Sequence, residues 1–217
     1  MSTYAISDLH GCYDELILML NKINFSSSDT MYIIGDILDR GDKSLKIIDL
    51  IISQNNINLI MGNHENLFIQ HYESGNMYFW KLGHPEILHR PDGYIEALYG
   101  YFKQLPMYEI VGNNILVHAG LKLPTNYKGM GIDEIMKYQN EEMLLWSRDH
   151  IGKEKKITGY NIICGHTPVQ DITGNYNDVK ILYRKGTYYI DCGCVFKEKN
   201  GKLACLRLED KVAFYVS

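Results

Sequence analysis

Five short stretches of this chain place candidate cation ligands directly after an apolar run: Asp8 with His10, Asp36, Asn63 with His64, His118, and His166. Taken one at a time, each fits a turn residue bonded to its own loop. Gathered at one place, Asp8, Asp36, Asn63, His10, His118 and His166 are two carboxylates, an amide and three imidazoles, a costly set to bury without counter-charge. A pair of divalent cations would supply that charge. Oxygen and imidazole donors without thiolate favour Mn, Fe or Zn. A carboxylate has two oxygens and can bridge two cations about 3.5–4 Å apart, the spacing used in two-metal hydrolysis. Gly35-Asp36-Ile37-Leu38-Asp39-Arg40-Gly41 adds a second carboxylate and a guanidinium, whose planar fork suits phosphate oxygens.

The elements that must position these residues read as strands alternating with helices. Residues 4–6 form a short apolar strand before Asp8, and Leu16, Met19, Leu20 and Ile23 then fall at helical spacing. The pattern repeats with strand 31–34, a helix whose face is Leu45, Ile48 and Ile52, and strand 57–61. Such alternation implies βαβ units and an α/β fold with a helix-covered sheet. In open α/β sheets ligands gather beyond the carboxyl ends of strands, where the candidate residues lie.

From Asn66 to about Gly112 the chain turns aromatic, and Ile95, Leu98, Phe102 and Leu105 outline a helix before Pro106. This segment is expected to cover one end of the sheet and to wall part of a substrate site. Strands are expected at 114–117 and 161–164, with a helix through Ile132, Ile135 and Met136 between them. Residues 153–156 read as a solvated basic loop. The tail is β-like at 180–183, 186–191, 203–208 and 211–216, with hairpin turns at 184–186 and 209–210. No repeat or linker interrupts the pattern, so residues 1–217 are read as a single domain.

The hydrophobic content is 46% and the charged content 22%, which suits a globular protein with a full core. A net charge of -4 gives no general electrostatic reason to expect a nucleic-acid or anionic-membrane partner. The cysteines, Cys12, Cys164, Cys192, Cys194 and Cys205, are odd in number and fit free thiols in a reducing compartment. Cys192-Gly193-Cys194 is read as strand-end packing. The N-terminus lacks a signal-peptide pattern, and no apolar run approaches the ~20 residues of a membrane helix. A cytoplasmic protein is expected; the oligomeric state is not legible.

Together, Asp8-Leu9-His10-Gly11, the stretch from Gly35 to Gly41, Gly62-Asn63-His64-Glu65, His118-Ala119-Gly120 and Gly165-His166-Thr167 resemble the ordered motif set of the calcineurin-like metallophosphoesterases. Within these the chain looks like the phosphoprotein phosphatase family, especially its compact bacterial and bacteriophage serine/threonine phosphatases. The resemblance implies a β-sandwich flanked by helices in α/β/β/α layers, with a dinuclear metal site at the strand ends.

It also implies roles. Asp8 and His10 would bind the first metal, Asp36 would bridge both, and Asn63, His118 and His166 would complete the second. The metals would be Mn, with Fe or Zn as alternatives, and would activate a bridging water for direct attack on phosphorus. His64 would be the general acid, oriented by Asp39; Arg40 would grip phosphate, and Arg148 matches a second phosphate-binding arginine. Departures are Ser7, Met61 and Cys192, where relatives often carry glycine, arginine and threonine. A thiol at Cys192 beside redox-capable metals suggests sensitivity to oxidation.

The function so implied is hydrolysis of phosphoserine and phosphothreonine, extending to phosphotyrosine, in protein or peptide partners. The alternatives are a diadenosine tetraphosphate hydrolase of the same superfamily and a non-catalytic phosphoprotein-binding scaffold. The chain's 217 residues lean toward the phosphatase, because the dinucleotide hydrolases usually run longer.

Overall fold

Strands β1 (Thr3–Ile6), β2 (Thr30–Ile34) and β3 (Ile57–Ile60) are short apolar runs, and in the computed structural model they lie parallel in the order β1-β2-β3. Residues 1–217 are described throughout, apart from the side chain of Phe79. Two C-terminal strands, β9 (Leu203–Arg207) and β10 (Ala213–Val216), extend this sheet antiparallel from β1. The second sheet has the order β4-β5-β6-β8-β7, from β4 (Tyr108–Val111), β5 (Asn114–Val117), β6 (Asn161–Cys164), β7 (Leu182–Arg184) and β8 (Thr187–Tyr189). Here β5, β6 and β8 are parallel, and β4 and β7 pair antiparallel at the edges.

Side chains alternate between the faces of a strand, and that alternation builds the layers. Ala5, Ile34 and Ile60 of one sheet pack with Leu116 and Ile163 of the other in a dry inter-sheet layer. Their strand neighbours Tyr4, Ile6, Met31, Ile33, Ile115 and Ile162 face outward into a larger core shared with the helices. Helix α1 (Tyr13–Lys22) contributes Leu16 and Met19, and α2 (Ser44–Ser53) contributes Leu45, Ile48 and Ile51. Two mixed sheets flanked by helices are therefore the architecture.

Helices α3 (Asn63–Glu73), α4 (Tyr78–Gly83) and α5 (Tyr94–Phe102) follow β3, and Phe68, Trp80 and Phe102 meet edge-on between them. Short helices α6 (Ile132–Lys137), α7 (Glu141–Leu145) and α8 (Val169–Thr173) complete the set. No helix, among the described residues, is long and apolar enough to cross a membrane.

Three local expectations change. Ile52 is exposed and Ile51 takes the buried position, because the face of α2 advances with Leu45, Ile47 and Ile48. Strand β4 was not foreseen: it is a half-buried, four-residue edge strand with a glutamate in it. The loop 153–156 is not wholly solvated, since Glu154 is buried and accepts the Tyr189 hydroxyl at 2.9 Å.

Candidate metal centre

The two sheets bring six parallel-strand ends to one place. β1 leads to Asp8 and His10, β2 to Asp36, β3 to Asn63, β5 to His118, β6 to His166, and β8 to Asp191, which sequence reasoning assigned no role. The backbones there interlock: His10 N–H donates to the Asp36 carbonyl at 2.9 Å, Gly11 N–H to that of Ile37 at 3.1 Å, and Gly41 N–H to that of His10 at 3.0 Å. Asp8, His10, Asp36, Asp39, Arg40 and His166 all have positive φ, between 41° and 68°. Such strain in non-glycine residues persists only where surrounding structure over-determines it, and it concentrates at functional sites. Two glycines make the closure possible. A Cβ on Gly165 would lie 2.0 Å from Asp8 Oδ2, and one on Gly62 2.3 Å from the Asp36 nitrogen.

Each candidate histidine ligand is fixed through one ring nitrogen on a backbone carbonyl. His10 Nδ1 donates to Leu38 at 2.7 Å, His118 Nδ1 to Ile34 at 3.0 Å, and His166 Nε2 to Trp146 at 3.2 Å. This is the outer-shell arrangement of metal-binding imidazoles, and it turns the other nitrogen inward. His10 Nε2 is buried there without a hydrogen-bond partner. His118 Nε2 and His166 Nδ1 converge on Asn63 Oδ1 at 2.8 and 2.9 Å, and on each other at 3.2 Å.

Asp36 joins the two halves. One oxygen lies 3.4 Å from His118 Nε2, the other 3.6 Å from His10 Nε2 and 3.9 Å from His64 Nε2. Two donor groups result, His10–Asp36–His64 and Asp36–His118–His166, each with donor atoms within 4.8 Å of one another. Converging acceptors, an orphaned buried imidazole nitrogen and a shared carboxylate fit two divalent cations. Asp8 lies beside these groups, both of its oxygens accepting the His166 N–H at 2.9 and 3.1 Å.

Burial pushes the Asp8 carboxyl up to about 7, with the Asp36 charge adding to it. Burial would raise Asp36 as well, but the adjacent His118 holds it well below the usual carboxylate range. In return Asp36 outweighs the burial of His118 and raises its imidazole to about 10. Burial lowers His10 to about 4, and burial with the His118 charge lowers His166 to about 3, so both rings are neutral, whereas His118 would have to release its proton on taking a cation.

His64 stands at the mouth of the centre, its Nδ1 2.5 Å from Asp39 Oδ2 and its Nε2 3.4 Å from the Arg40 guanidinium. Burial disfavours its cation, but the Asp39 hydrogen bond and the Asp36 charge prevail and raise its pKa. Arg40 also packs over the Phe196 ring at 5.3 Å. Arg148 is exposed, its Nε donating to Thr167 Oγ1 at 3.1 Å beside His166.

Three further residues belong to this place. Glu65, fully buried, accepts the N–H groups of Asp36, Ile37, Leu38 and Gly62 at 2.8, 3.0, 3.3 and 3.0 Å, so it holds the β2 loop open toward the centre. Its carboxyl is pushed up to about 7 by burial and by Asp36. Its signal was legible as the residue after Asn63 and His64. His84, buried, meets Asp39 from the side away from His64. It lies in the aromatic segment with no motif around it, so nothing in the sequence marked it. Asp191 is buried, its carboxyl raised by burial and then by the Asp8 charge, and it accepts the Gly193 N–H at 2.7 Å. An acid just after a parallel strand was the available signal.

This fold and this donor set define a metal-dependent phosphoesterase. The chain matches the calcineurin-like phosphoesterase family over residues 1–198 and belongs to it. Among curated relatives, a protein of Neisseria meningitidis named bis(5'-nucleosyl)-tetraphosphatase, symmetrical, is 36% identical over 124 residues, or 56% of this chain. That match spans 44% of the relative's own length, under half of it. A protein of the same name from Dechloromonas aromatica is 28% identical across 100% of this chain and 96% of the relative. A cold-active protein tyrosine phosphatase superposes with a TM-score of 0.64 at 18% identity, covering 100% of this chain and 78% of its own, and shares the fold.

Proposed function

We propose that this chain is a divalent-cation-dependent hydrolase that cleaves a bis(5'-nucleosyl) tetraphosphate symmetrically, giving two nucleoside diphosphates. The observation that carries the substrate class is the similarity to the Dechloromonas aromatica relative of that name, which runs through the whole chain. This reverses the order that chain length suggested, in which protein phosphatase activity came first. The general reaction rests on the geometry.

Asp8, His10, Asp36, Asn63, His118 and His166 would hold two cations, Mn in our reading. Bound there, the cations would supply Lewis-acid polarisation of phosphoryl oxygens and a lowered pKa for water. Asp36 presents one oxygen to each donor group and so keeps the two halves in register. Arg40 and Arg148 would hold the phosphate chain by charge-assisted hydrogen bonds. His64, kept cationic by Asp39 and Asp36, would donate its Nε2 proton to the departing oxygen. A nucleoside diphosphate is already a good leaving group; a serine alkoxide needs that proton far more.

The test is one substrate panel with Mn: diadenosine tetraphosphate, p-nitrophenyl phosphate, phosphoserine, phosphothreonine and phosphotyrosine peptides, and a phosphodiester. Preferential cleavage of the dinucleotide, with ADP as the sole nucleotide product, is the expected outcome. ATP with AMP would contradict symmetrical cleavage. Preferential phosphate release from the peptides would restore the phosphoprotein reading.

A further inference from the structure

A second, chemically different donor group lies where α1 begins. Cys12 is the residue that caps α1, Glu15 sits in its first turn, and Cys194 comes from the loop that follows β8. One donor atom from each of Cys12, Glu15 and Cys194 lies within 4.8 Å of the others, so the two thiols face each other. Lys197 is ion-paired with Glu15 at 2.9 Å. Cys194 is buried and Cys12 half-buried, so the cluster has one wall in the core and one toward solvent.

We infer that Cys12, Cys194 and Glu15 form a third cation site, selective for a soft divalent ion such as zinc. Thiolate ligands choose zinc over the hard cations that oxygen donors accept. Tetrahedral zinc, with bonds of about 2.3 Å to sulfur and about 2.0–2.2 Å to oxygen, needs donors about 3.5–3.8 Å apart. Separations within 4.8 Å reach that spacing by rotating side chains about 1 Å inward. The charges balance too: two thiolates and a carboxylate are offset by one dication and the ammonium of Lys197, which remains in place. Water from the Cys12 side would take the fourth position. The site shares no donor with the Asp36 centre and draws together the loops that carry His10 and Asp191.

The two centres differ by sulfur, and this makes the test direct. The reduced full-length chain, first saturated with Mn, is titrated with Co as a zinc surrogate. A thiolate-to-cobalt charge-transfer band in the near ultraviolet is expected, saturating at a single equivalent and collapsing on addition of Zn. The Asp, Asn and His donors cannot produce that band. Cys12→Ser and Cys194→Ser should abolish it. Glu15→Gln, a half-buried helix position that leaves the core untouched, should weaken cobalt binding about 10-fold or more. No band in the wild type, a band surviving Cys194→Ser, or unchanged cobalt affinity in Glu15→Gln would each overturn the site. None of these readouts depends on the substrate.

Discussion

His84 holds the backbone of Asp39: its Nε2 accepts the Asp39 N–H at 3.3 Å, while its Nδ1 donates to the Trp80 carbonyl at 3.0 Å. The ring is also stacked on the Trp80 indole, with centroids 4.4 Å apart. Asp39 has φ 65°, a conformation that needs such support. His84 is therefore a positioning residue for the Asp39–His64 pair. His84→Leu is expected to lower kcat about 10-fold with KM and bound metal unchanged. His64→Asn, which removes the proposed proton donor itself, should lower kcat at least as much as His84→Leu does. If His84→Leu instead raises KM or strips metal, the assignment fails.

Asp36 is the carboxylate common to both donor groups. Asp36→Asn should reduce bound metal at both positions together, whereas His118→Asn should affect one position more than the other. Metal analysis by mass spectrometry after gel filtration checks this. Full retention of both metals in Asp36→Asn would remove the shared role.

Glu65 is fully buried and accepts four backbone N–H groups. A glutamine there must turn its amide nitrogen toward some of those donors, leaving buried N–H groups unmet at about 1–3 kcal/mol each. Glu65→Gln should lower the Tm by about 3–10 °C for a chain of this size. Calorimetry showing no shift would mean that the β2 loop does not depend on this carboxylate.

His150 gives a pH dependence away from the metals. Its ring is stacked on Tyr189 and lies against Gly120, where a Cβ would come within 2.3 Å, and its Nε2 is buried without a partner. Burial lowers its pKa despite the nearby Glu154 and Asp149 carboxylates. The unfolded chain, with an ordinary imidazole at about 6.5, therefore binds the proton more readily than the folded one. Stability from this group is complete above about pH 6.5 and is lost as pH falls through the lower folded value. His150→Phe, which keeps a ring over Gly120, should flatten the decline in urea midpoint between pH 7 and 5 relative to wild type at saturating Mn. Parallel declines would exclude His150 as the cause.

The parts of the centre that were legible in the sequence are those where residue type and strand end coincide. Asp36, Asn63, His118 and His166 follow apolar strands whose parallel pairing carries them together. His84 was not legible, because its use depends on how α4 packs against the β2 loop, and its partner is 45 residues away. The exchange of Ile52 for Ile51 has a similar cause, since the helical period allows either and only the docked sheet selects. Cys192, suspected as an oxidisable thiol, is buried with its pKa raised by desolvation, whereas the thiols in mutual contact are Cys12 and Cys194.

The hydrogen bond from the His166 N–H to Asp8 joins residues 158 apart in the chain. Asp8, His10, Asp36 and Asn63 come from the first sheet, His118 and His166 from the second. On the proposed ligand set neither half-sandwich can hold a complete pair of coordination spheres, so full cation affinity would arise only when the two sheets have docked. Loop closure over such distances comes late and is slow. The ions would thus act as a latch on the final folding step, and chelation would loosen the seam between the sheets before it loosened either sheet.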